Sequence, residues 1–238
     1  MQALIFDCDG VLVDTERDGH RVAFNAAFKA IGWTTEWSVG RYGELLTTAG
    51  GKERMRRHFD EAGWPVEASE RDAAIAKLHK LKTDLFMSLI ETGELPLRPG
   101  IARIVDEAIA GRLKIAVCST SNERAVQAVV DRMLGPERAR RIRVFAGDVV
   151  AKKKPDPAIY TLAVQELMLD PRRCVVVEDS NNGLRAAKAA QMACLVTISS
   201  YTADEDFKLA DRIVPDLGDP PGRAITLRDL EGLLDGHR

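Results

Sequence analysis

The chain has 238 residues, enough for one full core and a smaller second body. Its 34 basic and 36 acidic residues leave a formal charge of −2, so nothing global draws it to nucleic acid or to an anionic membrane. Charges interrupt every apolar run well short of the roughly 18 residues of a membrane-spanning helix.

The chain opens on a short apolar run, Ala3 to Phe6, that ends in Asp7-Cys8-Asp9-Gly10. It reads as a buried strand entering a turn rather than as a signal peptide, because no basic segment precedes it. Apolar spacing then predicts a helix over 17–31 stopped by Gly32, a short one near 41–47 and a third over 53–62. A long fourth helix follows, with Ser69 as its N-cap and Ile75, Leu78, Leu81, Leu85 and Leu89 on one stripe.

The turn-rich stretch 93–100 ends this helical block. Beyond it the pattern alternates. Helices are expected over 101–110, 123–133, 157–168, 183–190 and 227–234, and strands over 114–118, 143–145, 174–177 and 193–198. Residues 211–215 read as an edge strand. Strands alternating with helices of this length imply a doubly wound α/β fold around a parallel sheet, with the helical block inserted after its first strand. The expected division is a core of residues 1–15 and 96–238 and a helical cap of residues 16–95. Cys8, Cys118, Cys174 and Cys194 lie in or beside strands with no CxxC pair, which points to buried, reduced thiols in a cytoplasmic setting.

Three predicted strand ends carry polar side chains. Asp7 and Asp9 repel each other and are costly to desolvate, so a cation is the expected third member and Asp7 a candidate nucleophile. The spacing does not fit an EF-hand calcium loop, whose glycine stands sixth. Ser119-Thr120-Ser121-Asn122 ends the second strand, as an anion site at a helix start or as simple N-capping by Ser121 or Asn122. Glu178 and Asp179 end the three-valine strand and would complete an all-oxygen site suited to Mg²⁺. Between them, Lys152-Lys153-Lys154 precedes Pro-x-Pro. Lys154, beside the first proline, is the one expected to turn inward, offset the acids and hold a phosphoryl oxygen.

In order, Asp7-x-Asp9, Ser119, Lys154-Pro155 and Glu178-Asp179 resemble the four motifs of the haloacid dehalogenase superfamily, over essentially the whole chain. The segments 16–25, 41–46 and 50–54 are similar to its CbbY branch, which removes phosphate from xylulose 1,5-bisphosphate, an inhibitor of Rubisco. The resemblance implies a Rossmann-like core with a C1 helical cap. Asp7 would be the nucleophile and Asp9 the acid and base. Mg²⁺ would be held by Asp7, the Asp9 backbone carbonyl and Asp179, with Glu178 direct or through water, and Ser119, the backbone near Thr120 and Lys154 would clamp the phosphoryl group. In the cap it implies a distal-phosphate contact from Lys52, while Glu16, His20 and Arg41 would contact the sugar or shape the closed site. The partner would be a small sugar phosphate, with a functional rather than a direct link to Rubisco, no nucleic acid and no membrane, and the chain a monomer. The resemblance leaves a β-phosphoglucomutase-like transferase as the competing enzyme, and a receiver-like or inactive phosphate-binding module as the non-enzyme alternative. One departure is Ala190-Gln191-Met192, where many relatives have Ala-Gly-Met.

Overall fold

A computed structural model describes every residue except Ala49 and Arg238, and only the backbone of Gly236 and His237. Its contacts divide the chain into two compact units, Met1–Asp14 with Leu95–Arg238, and Thr15–Glu94.

The first unit is a six-stranded parallel sheet of order β3-β2-β1-β4-β5-β6. Its strands are β1 (Ala3–Phe6), β2 (Lys114–Ser119), β3 (Ile142–Ala146), β4 (Cys174–Glu178), β5 (Ala193–Thr197) and β6 (Arg212–Val214). Helices α5 (Ile101–Ala110), α6 (Glu123–Met133), α7 (Pro136–Ala139), α8 (Ala158–Leu167), α9 (Asn181–Ala189) and α10 (Leu227–Gly232) belong to the same unit. Alternation along each strand sends one set of side chains to each face. Ala3, Ile5, Ala116, Cys118, Cys174, Val176, Cys194 and Val196 pack with Ile159, Tyr160 and Ala163 of α8 and Leu184 and Ala187 of α9. Leu4, Phe6, Ile115, Val117, Val175, Val177 and Leu195, the alternate set, are buried as well. The apolar runs are continuous because both faces are covered. All four cysteines are free and buried.

Phe6 lies in register between Val117 of β2 and Val177 of β4. The next residues of these three neighbouring strands therefore emerge side by side at the carboxyl edge, where the strand order reverses and open sheets bind ligands.

The second unit holds α1 (Arg21–Ala30), α2 (Val39–Leu46), α3 (Gly51–Ala62) and α4 (Arg71–Glu91), after a π-type turn at Thr15–His20. The first expected helix is thus divided at His20. Ser69 does not cap α4: it sits in a 3₁₀ turn (Ala68–Glu70), and Glu70, with no side-chain cap bond, precedes the helix. The buried face of α4 is also a different one. It carries Ile75, Leu78, Lys82, Phe86 and Ile90, while Leu81, Leu85 and Leu89 are half-buried. A lysine thus stands on the core stripe.

Gln191 follows α9 in the left-handed region, at φ 62°. Its N–H bonds to Lys188 O at 3.0 Å and that of Met192 to Ala187 O at 3.1 Å, which is a Schellman ending built without the usual glycine. A side chain there costs about 1 kcal/mol, partly offset by the looser unfolded chain that glycine allows. Gln191→Gly is expected to stabilise the protein by about 0.5 kcal/mol, read as a rise in the urea midpoint at unchanged slope. A midpoint that falls would show that Gln191 makes a compensating contact.

Candidate active site

Asp7 follows β1, and its N–H is held by Val177 O of β4 at 3.0 Å. Lys154 reaches it from the loop before α8. The ammonium donates to Asp7 Oδ1 at 2.6 Å, Glu178 Oε1 at 2.7 Å and Cys118 O at 2.9 Å. These take all three of its N–H bonds. Burial alone would strip its proton, but Asp7 and Glu178 outweigh that, and the net shift is upward. Lys153 points elsewhere, to Asp148 Oδ1 at 2.8 Å.

Glu178 closes β4 with 1% of its surface exposed. Its Oε1 also accepts the hydroxyl of Tyr160 from α8, and its Oε2 accepts the N–H of Asp179 at 3.2 Å. Glycine is required on both sides of this pair. A Cβ on Gly183 would stand 2.0 Å from the Glu178 carboxylate oxygens, and one on Gly10, at φ +79°, would meet Asp179 Oδ2 at 2.0 Å. The Gly10 turn is held from behind by Arg98, which donates to Gly10 O and also to Ile198 O at 2.6 Å and Pro215 O at 2.7 Å.

Ligand oxygens of Asp7, Glu178 and Asp179 all lie within 4.8 Å of one another. Three buried carboxylates face one ammonium. Burial pushes Asp7 up to about 7 against the pull of Lys154, with Glu178 and Asp9 adding to the rise. Burial, then Glu178 and Asp7, push Asp179 well above the usual carboxylate range. Surplus negative charge on an oxygen-only donor set fits a hard divalent cation.

The Asp9 side chain lies outside this cluster. Its Oδ2 accepts the hydroxyl of Ser121 and, at 3.5 Å, that of Ser119, whose oxygen in turn accepts the N–H of Ser121 at 3.1 Å. N-capping of α6 falls to Asn122, which accepts from Ala125 N at 3.3 Å. Ser119 and Ser121 are thereby free of a capping role, and Thr120 is exposed beside them.

The helical unit gathers a second polar set. Tyr42 donates to Glu16 Oε2 at 2.6 Å, and Arg54 Nη1 lies 3.9 Å from the same oxygen. Lys82 Nζ stands 2.8 Å from His20 Nδ1, over the rings of Phe24 at 4.9 Å and Phe86 at 5.1 Å. Burial lowers Lys82 to about 8, and burial with Lys82 and Arg54 holds His20 well below its ordinary value. Where Lys82 is charged it donates to Nδ1 of a neutral His20, which puts that ring's proton on Nε2. Arg41 is committed elsewhere, to Glu44 Oε2 at 2.8 Å, to Glu61 and to His58 Nδ1 at 3.3 Å. Lys52 is exposed in the first turn of α3.

Sequence reading missed Lys82, Arg54, Tyr160, Arg98 and the role of Ser121. Only Lys82 left a usable trace, as a cation at an apolar position of the α4 repeat.

The parallel sheet gathers acids, a lysine and hydroxyls at three neighbouring strand ends, a set suited to holding a cation and a phosphoryl group. Residues 1–191 match the family model of the haloacid dehalogenase-like hydrolases. The chain is 59% identical over 236 residues to a CBBY-like protein of Arabidopsis thaliana, covering 98% of this chain and 74% of that one. It is 42% identical to the protein CbbY of Cereibacter sphaeroides, over 94% and 96% of the two. The crystal structure of CbbY from Rhodobacter sphaeroides in complex with phosphate superposes with a TM-score of 0.73 at 40% identity, covering 97% of this chain and 99% of that one. A variant of that protein, solved in complex with xylulose-(1,5)bisphosphate, gives 0.70 at 40% identity, over 94% and 100%. The chain belongs to the haloacid dehalogenase-like hydrolase family, among its CbbY proteins, and it is a phosphatase.

Proposed function

We propose that this phosphatase is Mg²⁺-dependent, works through an aspartyl-phosphate on Asp7 and takes xylulose 1,5-bisphosphate to xylulose 5-phosphate and phosphate. The observation that carries the chemistry is the division of labour between the two aspartates. Asp7 is bound to Lys154 at 2.6 Å and sits among carboxylates, whereas Asp9 turns its side chain to Ser119 and Ser121. The bisphosphate comes from the CbbY complex of similar sequence.

In this reading an Asp7 oxygen forms a bond to phosphorus as the bond from phosphorus to the sugar oxygen breaks. Asp9 gives its proton to that leaving oxygen. It then takes a proton from water, whose oxygen attacks the same phosphorus, releasing phosphate and restoring Asp7. The serine hydroxyls hold Asp9 in place for both transfers. Mg²⁺, when bound by Asp7, Glu178, Asp179 and the Asp9 carbonyl, neutralises charge and orients the phosphoryl group. Lys154 and Ser119, with the backbone at Thr120, hold phosphoryl oxygens, and for Lys154 this means exchanging one of its three present bonds. In the helical unit, Glu16, His20, Arg54 and Lys82 supply donors and an acceptor suited to a polyol phosphate. Lys52 remains assigned to the distal phosphate, and Arg41 would have to exchange its present bonds to Glu44 and Glu61 to reach the sugar. We place the enzyme in the cytoplasm and link it to Rubisco through its inhibitor, without direct binding.

The test is a panel of sugar mono- and bisphosphates with Mg²⁺, reading released phosphate. Xylulose 1,5-bisphosphate is expected to have the highest kcat/KM, with EDTA abolishing turnover. An isomerised sugar phosphate without phosphate release would turn the reading to a mutase, and release from no sugar phosphate would sink it.

A further inference from the structure

Tyr160 is a fully buried phenol on α8 whose hydroxyl is directed out of an otherwise apolar cluster. That hydroxyl donates to Glu178 Oε1, and its ring lies 4.9 Å from Lys154 Nζ. Oε1 thus receives two donors, Tyr160 and Lys154, the latter at 2.7 Å. A carboxylate oxygen has two lone pairs, so Oε1 is saturated. Oε2 receives one long bond, from Asp179 N at 3.2 Å, and keeps a lone pair. The carboxylate rests against the open side of Gly183, where no Cβ limits its rotation. Two donors on one oxygen fix the orientation of the carboxylate and leave Oε2 as the oxygen with spare acceptor capacity.

We propose that Tyr160 is a positioning residue for the cation site: with Lys154 it pins Oε1 of Glu178, so that Oε2 is the oxygen presented to the metal. The proposal rests on the Mg²⁺ reading above. It also gives Lys154 its freedom, because Tyr160 keeps Glu178 Oε1 satisfied whenever the ammonium trades that bond for a phosphoryl oxygen. Loss of such an outer partner typically weakens metal binding by about 10-fold or more.

The experiment is calorimetric titration of Mg²⁺ into the substrate-free protein, so the readout is binding and not turnover. Tyr160→Phe keeps the ring and removes one oxygen. Its Kd for Mg²⁺ is expected to rise about 10-fold. In a Glu178→Gln background the same change is expected to shift Kd by less than about 2-fold, because Tyr160 acts through that carboxylate. Equal Mg²⁺ affinity in wild type and Tyr160→Phe, or an undiminished effect in the Glu178→Gln background, overturns the proposal. If Tyr160→Phe does not fold, 4-aminophenylalanine at 160 keeps the shape with a weaker donor. A weakened Kd there supports the proposal, and a wild-type Kd overturns it. Failure of the wild type itself to bind Mg²⁺ removes the metal reading, a result distinct from either.

Discussion

Lys154→Met is expected to lower Tm by about 10 °C at pH 7 and to cut phosphatase activity by about 10³-fold. Among the described residues the ammonium is the only cation bonded to Asp7 and Glu178, at 2.6 and 2.7 Å, and its side chain is 8% exposed. Methionine keeps the length and apolar stem and deletes the charge. Breaking such a buried pair costs about 3–5 kcal/mol, because the partners stay buried without compensation. The loss should shrink toward pH 5. Without Lys154, whose charge holds Asp7 down, Asp7 keeps its proton to higher pH, so acidification removes its uncompensated charge from the variant first. Millimolar Mg²⁺ should recover part of the lost stability by supplying positive charge to the same oxygens. Thermal unfolding across that pH range, with and without Mg²⁺, reads all three. A variant within about 2 °C of wild type at pH 7 would mean that Asp7 and Glu178 are not buried as a charged pair.

The same lysine shows how far the chain could be read from its residues. Lys154 was separable from Lys153 because a rigid Pro-x-Pro follows it, and the structure turns Lys153 to Asp148 and Lys154 to Asp7. The strands were legible because a fully covered parallel sheet writes itself as uninterrupted apolar runs, as in Cys174–Glu178 and Ala193–Thr197. What was illegible depends on rotation and on loops. On α4 two interleaved apolar sets, Leu81-Leu85-Leu89 and Leu78-Phe86-Ile90, lie side by side, and no local rule says which faces inward. Choosing the leucines hid Lys82, the cation that meets His20. Ser121 read equally well as a helix cap. Only the turn of the chain before α6, which gives the cap to Asn122, aims its hydroxyl at Asp9. Arg41 and Arg54 are both arginines near the same helices, and their partners alone separate a peripheral ion network from the Glu16 site.

Asp7→Asn is expected to abolish turnover, by about 10⁴-fold or more, and yet to make the metal-free protein more stable at pH 8. The first effect follows from replacing the attacking carboxylate by an amide that cannot carry the phosphoryl group. The second follows from where Asp7 sits. Burial raises it from 3.8 to about 7, with Lys154 opposing and Glu178 and Asp9 adding. The folded state therefore holds a proton that the unfolded chain has already released. The stability this gives is complete below pH 4 and is lost as pH rises through about 7, at up to about 1.4 kcal/mol per unit in between. Asparagine carries no such proton. Wild type and variant should be close near pH 4 and should diverge as pH rises, the variant ending higher. Asp179, also raised by burial, adds a slope of the same sign to both proteins. Mg²⁺ should reverse the order, since it favours the ionised Asp7 that the variant lacks. Urea unfolding in EDTA from pH 4 to 8, repeated with Mg²⁺, decides the matter. A variant less stable than wild type at pH 8 in EDTA would refute the cost assigned to the buried carboxylate, and retained turnover would refute the nucleophile.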